Sequence, residues 1–256
     1  MGKKMKEDIV LPLLVLKEIV LMPGTTVQLL VEKDNSIHAV NSAMENNIDI
    51  FVIMAKKRFE GDEVSLDCLY SVGTIATVRQ ILKLPNGQTR ILLAGKDRAY
   101  INDVVNGEQY NCAQVEVIEQ VSELSQTEQT ARIRIVRDLL KQCEKRNMIT
   151  NKVMAATLGK IRNLELLVDC TAEALSLPST SRQTILEETD IEVRVESLIS
   201  IIMNEMEIYN IREEIGEKLK DCVNQNQREY VLREQMKLIR KELGEENAED
   251  ELRCGI

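Results

Sequence analysis

The longest uninterrupted pattern in the sequence is a helical stripe near its carboxyl end. Residues 189–244 contain no proline and a single interior glycine, Gly216. Their apolar residues recur at intervals of three and four, which is the period of one helix face. A helix of this length extends roughly 80 Å at about 1.5 Å per residue, more than twice the diameter of a small domain. We therefore expect it to leave the globular part in which it begins and to carry apolar side chains toward other polypeptides.

The stripe does not keep one register along its whole length. Its spacing shifts near Tyr209, and four polar residues at 224–227 interrupt it further along. We therefore expect a bend or a solvent-exposed stretch there, and no single partner along the entire helix. Thr189 and Glu192 match a capping box, in which each side chain satisfies the backbone N–H of the other residue. This motif predicts that the helix begins at Thr189.

Short apolar stretches before residue 121 have the period and the turns of β-strands. Pro85-Asn86-Gly87 predicts a tight hairpin, because asparagine and glycine tolerate the positive φ that such a turn requires. One helical stretch, 36–47, lies among the strands. Many strands joined by short turns predict a small closed or nearly closed β barrel. The predicted strands are 9–15, 25–32, 48–55, 73–84, 89–94, 99–105 and 113–121.

The period changes to three and four residues after position 125. Ser125 and Glu128 form a second capping-box pattern, and the apolar face that follows predicts a helix to about Lys145. Pro178 separates the last two of the later helical stretches. The pattern predicts a helical bundle that leads into the long helix. The later predicted helices are 151–158, 161–175 and 180–188.

Charge, cysteine usage and hydropathy exclude several classes of protein. The net charge is −9, and both halves of the chain carry an acidic surplus, so a dedicated nucleic-acid binder is not expected. The six cysteines form no CxxC pair, which favours reduced thiols over disulfides or a zinc site. No apolar stretch is long enough to span a membrane, and the charged first six residues do not match a signal peptide. We expect a cytoplasmic protein without membrane contact.

The sequence offers few groups for catalysis or metal binding. His38 is the only histidine, and its place beside the apolar face of the 36–47 helix indicates a structural role. Adjacent glutamates such as Glu187 and Glu188 point in different directions on a helix, which favours solvated surface over a cation site. We therefore predict no catalytic, cofactor-binding or metal-binding residue in this chain.

Several motifs, taken in order, resemble one known family. They are LPL at 11–13, VLMPG at 20–24, YSVGTIA at 70–76, LPNG at 84–87 and QREYVLREQMK at 227–237, continued by KELGE at 241–245. They resemble the amino-terminal region of the ATP-dependent protease Lon, over nearly the whole chain. The resemblance implies an α+β fold with a PUA-like β barrel, a helical bundle and a long carboxyl-terminal helix. In that family, the helix leads to an ATPase and a serine–lysine protease domain.

The ATPase and protease modules have no counterpart in this sequence. No G-x-x-x-x-G-K-[ST] motif is present, so the chain lacks a P-loop phosphate site. We expect ATP and magnesium to bind only in the missing ATPase module, and no activity in this chain by itself. The predicted division is a β-rich domain at 1–121, a helical bundle at 122–188, a long connector helix at 189–244 and an acidic loose tail at 245–256.

Two functional hypotheses follow from the apolar stripe and the resemblance. In the first, the chain captures unfolded or damaged protein clients and helps to assemble a homohexameric protease. In the second, it is a structural spacer that positions and gates the motor without binding clients. The exposed stripe would meet a second copy, a client or the ATPase module. The residues predicted to contact clients or to mediate assembly are Met22, Pro23, Met203, Met206, Tyr209, Tyr230, Leu232, Met236, Ile239 and Leu243.

Overall fold

The structure is a computed structural model that describes residues 9–56, 64–85, 88–119 and 124–242. The chain divides into two compact units, Met1–Glu205 and Met206–Ile256. The predicted loose tail at 245–256 lies outside the described residues. The described strands are β1 (Ile9–Leu16), β2 (Thr26–Val31), β3 (Ile50–Met54), β4 (Val72–Lys83), β5 (Thr89–Val105) and β6 (Cys112–Val117). The described α-helices are α1 (Asp34–Glu45), α2 (Gln126–Lys145), α3 (Lys152–Leu158), α4 (Leu164–Ala174), α5 (Ser179–Glu187) and α6 (Ile191–Glu242).

The predicted α+β fold is confirmed. The six strands form one sheet in the order β2-β5-β4-β3-β1-β6, and an additional pairing between β5 and β6 closes it into a barrel. β5 makes this closure possible because it is long: residues 89–94 pair with β2, and residues 99–105 pair with β6. At one end of the barrel, β6 therefore lies between β5 and β1, whereas at the other end β2 is paired with β5 alone among the described strands.

Both faces of the central strands are buried, which explains their continuous apolar sequence. All five residues of β3 are buried, and the first four alternate between two apolar clusters. Ile50 and Val52 join the cluster that α1 covers with Ala39, Val40 and Ala43. Phe51 and Ile53 face a second cluster with β6. The helix predicted at 36–47 corresponds to α1, the α-helix that the described residues place among the strands, and it covers one of the two apolar clusters.

The sequence predicted two strands, 89–94 and 99–105, where the structure has one continuous strand, β5. The charged residues Lys96, Asp97 and Arg98 resemble a turn in sequence, yet each occupies a strand position. Lys96 forms an ion pair with Asp49 at 2.7 Å, and the register with β4 shifts near these residues through a bulge. Lys96 and Arg98 are tolerated within the strand because each finds a carboxylate partner in the tertiary structure.

Side-chain caps mark the start of three helices after the barrel, although α4 begins at Leu164 and not at the predicted residue 161. The Ser125 hydroxyl accepts the backbone N–H of Glu128, while the Glu128 carboxylate accepts the backbone N–H of Ser125 at 2.9 Å, so the predicted capping box is confirmed. Asn151 and Asn163 cap α3 and α4 by a single bond each, in which the side-chain oxygen accepts the backbone N–H of the residue three positions later. α4 is the most buried of these helices and packs against α2, α3 and α5.

α6 is one continuous helix of 52 residues. The prediction that Thr189 caps it was wrong, because the carboxylate of Asp190 accepts the backbone N–H of Glu192 at 2.8 Å. The helix starts one residue later than the motif indicated, since aspartate at 190 offers an oxygen in the capping position. The helix is not interrupted at 224–227, and the side chains there are exposed, as expected for a solvated stretch.

Candidate functional site

The turn at 22–24 was predicted to present an apolar contact surface, and this prediction was wrong. Met22 is fully buried and Pro23 is buried as well. The turn folds inward because its carbonyl groups find partners inside the protein. The Thr25 hydroxyl donates to the Met22 carbonyl at 2.7 Å, and the Thr74 hydroxyl donates to the Leu21 carbonyl at 2.6 Å. Met22 and Pro23 are therefore core residues and not contact residues.

A buried ion pair connects the barrel with the helices inside the first compact unit. Arg98 of β5 and Asp169 of α4 have side chains that are both only 2% exposed. Arg98 binds the carboxylate through both terminal nitrogens, with the Nη1 to Oδ2 distance at 2.7 Å, and its Nε donates to the Leu186 carbonyl at 3.1 Å. The guanidinium group thus fixes β5 to α4 and to the end of α5.

A second buried arginine, Arg194, holds the first turn of α6. Its Nε donates to the Glu188 carbonyl at 2.7 Å, and its Nη2 donates to the Thr189 carbonyl at 3.0 Å. Burial, with the nearby charge of Arg98, lowers the pKa of Arg194 to about 10. The guanidinium group therefore stays charged at neutral pH, and it ties the start of α6 to the segment that precedes it.

α6 changes from buried to exposed along its length. Ile191, Val195, Leu198 and Ile202 are buried at intervals of three and four residues, as expected for a helix that packs on one face. Beyond Met206, the large apolar side chains from Ile211 onward are at least half exposed. Exposed apolar surface of this extent is typical of interaction sites. These residues are Ile211, Ile215, Leu219, Val223, Tyr230, Val231, Leu232, Met236, Leu238 and Ile239.

Seven of the exposed apolar residues of α6 form two sets, at helical spacing, that face different directions. The first set is Ile211, Ile215, Leu219 and Val223, and the second is Leu232, Met236 and Ile239. At about 100° per residue, the mean direction of the second set is rotated by roughly 110° from that of the first. One straight partner helix cannot cover both sets. The sequence-based expectation that no single partner covers the whole helix stays a prediction, and this geometry is consistent with it.

A cleft opens between β1 and β2 on the barrel, which we call the β1–β2 cleft. Its volume is about 290 Å³. Its walls are formed by residues 13–17 at the end of β1 and just after it, residues 29–33 at the end of β2 and just after it, and the first turn of α1, together with Ile19, Val64 and Asn111. Leu14, Leu16, Leu29 and Val31 in these walls belong to the core. The cleft is therefore a largely apolar opening into the barrel, which sequence reasoning did not predict.

Groups that could hold a metal or form a disulfide are not assembled in the described part of the chain. No cluster of three or more histidine, cysteine, aspartate or glutamate side chains is placed to hold a metal ion there. The five described cysteines are free thiols. His38 is exposed on α1, beside buried Ala39. Among the described helices, none is long and apolar enough to cross a membrane.

The barrel, the helices packed on it and the start of α6 together match one family model. Residues 10–204 match the substrate-binding domain of ATP-dependent protease La, or Lon. The chain belongs to this family. The match ends within one residue of the boundary between the two compact units, so the Lon domain and the first unit are nearly the same part of the chain.

Full-length Lon proteases are similar to the chain over almost all of its residues. The Lon protease of Brevibacillus choshinensis is 34% identical over 254 residues, which is 96% of this chain and 32% of that protein. The Lon protease of Vibrio parahaemolyticus is 34% identical over 255 residues, 98% of this chain and 32% of that protein. The Lon protease 1 of Bacillus subtilis is 34% identical over 248 residues. The chain thus spans about a third of the length of these relatives.

Two solved structures share the fold. The N-terminal domain of the Mycobacterium avium complex Lon protease superposes with a TM-score of 0.59 and is 20% identical, covering 76% of this chain and 98% of its own. The Lon N-terminal domain protein from Xanthomonas campestris gives a TM-score of 0.52 at 17% identity, covering 75% of this chain and 98% of its own. At these identities, the comparison supports the fold alone.

Most of the predicted contact residues lie beyond the part that matches the Lon domain. Met203 is inside the match and 59% exposed. Met206 is only 9% exposed and Tyr209 is half-buried, so neither presents a free apolar side chain. Leu243 lies outside the described residues. The remaining predicted residues are more than half exposed: Tyr230, Leu232, Met236 and Ile239.

The residues that join the Lon barrel to its helices were not found from sequence. Arg98 and Asp169 are 71 positions apart, and no spacing rule connects them. The available signal was local. Asp169 lies in a helix in which the residues on either side of it, Leu167, Val168 and Cys170, are apolar and buried. A carboxylate at such a position needs a partner, because a buried charge without one is very costly.

Proposed function

We propose that this chain is the substrate-recognition and assembly region of a Lon-type ATP-dependent serine protease. Its clients would be unfolded, damaged or short-lived regulatory proteins, and its parent enzyme a homohexamer of the cytoplasm. ATP and magnesium would bind in the ATPase module of that enzyme, and peptide hydrolysis would occur at its serine–lysine dyad. In this proposal, no residue of the present chain takes part in the chemistry.

The observation that supports this proposal most directly is the exposed apolar surface of α6. Its exposed side chains include flexible Met236 and large Tyr230, which are 55% and 67% exposed. Methionine adapts to irregular partners because its side chain is unbranched and polarizable. Misfolded clients share exposed apolar segments and little else, so adaptable contacts suit them better than a shaped pocket. Weak contacts would suffice if several copies surround one client, because linked sites raise the effective concentration.

A binding experiment tests client recognition directly. Fluorescently labelled α-lactalbumin in its reduced, carboxymethylated form is a permanently unfolded client, and the native form is the matched folded control. We expect the anisotropy of the unfolded form to rise on titration with the purified chain and that of the native form to stay flat. Equal binding of both forms, or of neither, would refute client recognition by this region.

A structural spacer is the second candidate, and the continuity of α6 favours it. The helix is unbroken over 52 residues, and buried Arg194 ties its first turn to the segment that precedes it. A spacer predicts that the chain shows no preference for the unfolded client, and that Leu232→Asp with Met236→Asp abolishes self-association without changing any residual client binding. The control is Asn224→Asp with Gln227→Asp, which adds the same charge at exposed polar positions of the same helix. Light scattering measures association, and the anisotropy titration measures client binding for the same samples.

A further inference from the structure

The walls of the β1–β2 cleft are two strand edges without a strand partner. β2 pairs with β5 along one edge, and the described residues place no strand on its other edge. β1 pairs with β6 over residues 9–12, whereas its pairing with β3 covers residues 13–16 on the opposite edge. Near the cleft, β1 and β2 therefore each turn one edge toward the same opening.

Leu30 is the residue of β2 whose backbone groups point into the free edge. Gly95 donates its N–H to the Thr25 carbonyl, so Thr25 and every second residue after it bond to β5. The pairing of β4 with β5 gives the same result. Leu84 donates its N–H to the Gln88 carbonyl, and because the bonding direction alternates along a strand, the backbone groups of Arg90 also face β4 and not β2. Leu30 lies opposite Arg90, and its backbone N–H and carbonyl thus face away from β5. Its side chain is 54% exposed.

Val15 is the corresponding residue on the other wall. Ala55 donates its N–H to the Leu16 carbonyl, which orients Leu16 and Leu14 toward β3. Leu13 donates its N–H to the Asn111 carbonyl, so the odd-numbered residues face the other edge. By this alternation the N–H and carbonyl of Val15 point away from β3, and Val15 lines the cleft.

We propose that an extended apolar segment of a client inserts in the β1–β2 cleft as an added β-strand, paired with Leu30 on one edge and Val15 on the other. This inference rests on the proposed client-binding function and assigns it a site. An extended backbone is the ligand that fits, because it presents N–H and carbonyl groups on both sides at the spacing of a strand. Its alternate side chains would point toward the apolar wall formed by Leu16, Leu29 and Val31.

The probe for this site is a fluorescein-labelled nonapeptide of alternating valine and threonine with a lysine at each end. Two further versions carry N-methyl groups on alternate residues, one in each phase, so that each lacks the N–H groups of one edge. A single free strand would accept either methylated peptide, because the peptide could turn its unmethylated edge toward it. Insertion between two edges uses both, and we expect each methylated peptide to bind about tenfold or more weakly.

The matched protein variants are Leu30→Pro and Leu30→Ala. Proline removes the outward N–H and is tolerated in an edge strand when that N–H does not bond within the sheet. Alanine removes the same exposed side chain and keeps the N–H. We expect Leu30→Pro to weaken binding of the unmethylated peptide about tenfold and Leu30→Ala to weaken it less than threefold. Circular dichroism melts of both variants establish that the barrel is intact.

The outcomes separate this site from client recognition in general. Equal binding of the methylated and unmethylated peptides, weakening in one phase only, or equal effects of the two Leu30 variants would overturn the site. If unfolded α-lactalbumin still binds in that case, client recognition stands and lies elsewhere. If neither the peptide nor unfolded α-lactalbumin binds, both the site and the proposed function are refuted.

Discussion

Replacement of Arg98 by methionine tests how strongly the buried ion pair holds the barrel to the helices. The substitution leaves the Asp169 carboxylate 2% exposed and without its guanidinium partner. Breaking a buried pair in this way costs about 3–5 kcal/mol. For a unit of about 200 residues, each kcal/mol lowers the melting temperature by about 2–4 °C. We therefore expect a fall of roughly 6–20 °C, from the combination of these two ranges.

The assay is thermal unfolding followed by circular dichroism, with two comparisons. Replacing both partners, Arg98→Met with Asp169→Leu, should restore most of the lost stability, because apolar residues of similar volume often substitute for a buried pair. It should not restore all of it, since the Leu186 carbonyl also loses the Arg98 donor. Lys218→Met removes an exposed pair with Glu214 and should change the free energy of unfolding by less than about 1 kcal/mol. A fall below about 2 °C for Arg98→Met would refute the argument.

Three further predictions concern a glycine, a helix cap and the thiols. Gly73→Ala should destabilise the barrel by about 1–3 kcal/mol in denaturant unfolding, because its Cβ would lie 2.5 Å from the Phe51 ring and 2.6 Å from the Val52 carbonyl oxygen. Gly216→Ala is the control on α6, because a Cβ at this position has no atom within 4 Å, and it should not destabilise the protein. Equal destabilisation by Gly73→Ala and Gly216→Ala would contradict the packing argument. Asp190→Ala should lower the free energy of unfolding by about 0.5–2 kcal/mol, and Thr189→Ala should lower it clearly less. A larger effect of Thr189→Ala would show that Thr189 caps the helix. In maleimide labelling at pH 7.5 with mass spectrometry of the peptides, exposed Cys222 should react first among the five described cysteines. Buried Cys170 should stay unreacted until the protein is denatured, because burial and the charges of Asp169 and Glu173 raise the pKa of its thiol to about 11. The thiolate is the reactive form, so its labelling should accelerate only as the pH approaches that value, and fast labelling at pH 7.5 would contradict its burial.

Local patterns were sufficient to predict most of the elements of this fold. The Ser125 and Glu128 capping box is present in the structure because it depends on residues three positions apart. The alternation in the strands and the period of α6 are equally local. The predicted cap at Thr189 is only one residue from the observed cap, because Asp190 occupies the capping position.

Tertiary partners explain what the sequence did not reveal. The predicted strands stopped at residue 94 and resumed at residue 99, whereas Lys96 and Arg98 lie within β5 and are paired with carboxylates 47 and 71 positions away. The Met22 turn looked like surface, but hydroxyl groups of Thr25 and Thr74 bind its carbonyls and fold it inward. Neither partnership follows from spacing, because each depends on how the sheet closes. The β1–β2 cleft is a consequence of the same closure and was missed for the same reason.

The two candidate contact regions differ in what they can recognise. The exposed residues of α6 offer side chains only, because the backbone groups of a helix interior already bond to one another. The edges of β1 and β2 offer backbone groups beside an apolar wall. A folded helix of a partner can therefore bind to α6, but only an extended segment can satisfy the strand edges. If the nonapeptide competes with unfolded α-lactalbumin and the double variant Leu232→Asp with Met236→Asp leaves that competition unchanged, the barrel recognises the unfolded client and α6 serves assembly. Loss of client binding in that double variant, with the peptide still bound, would instead assign client recognition to the helix.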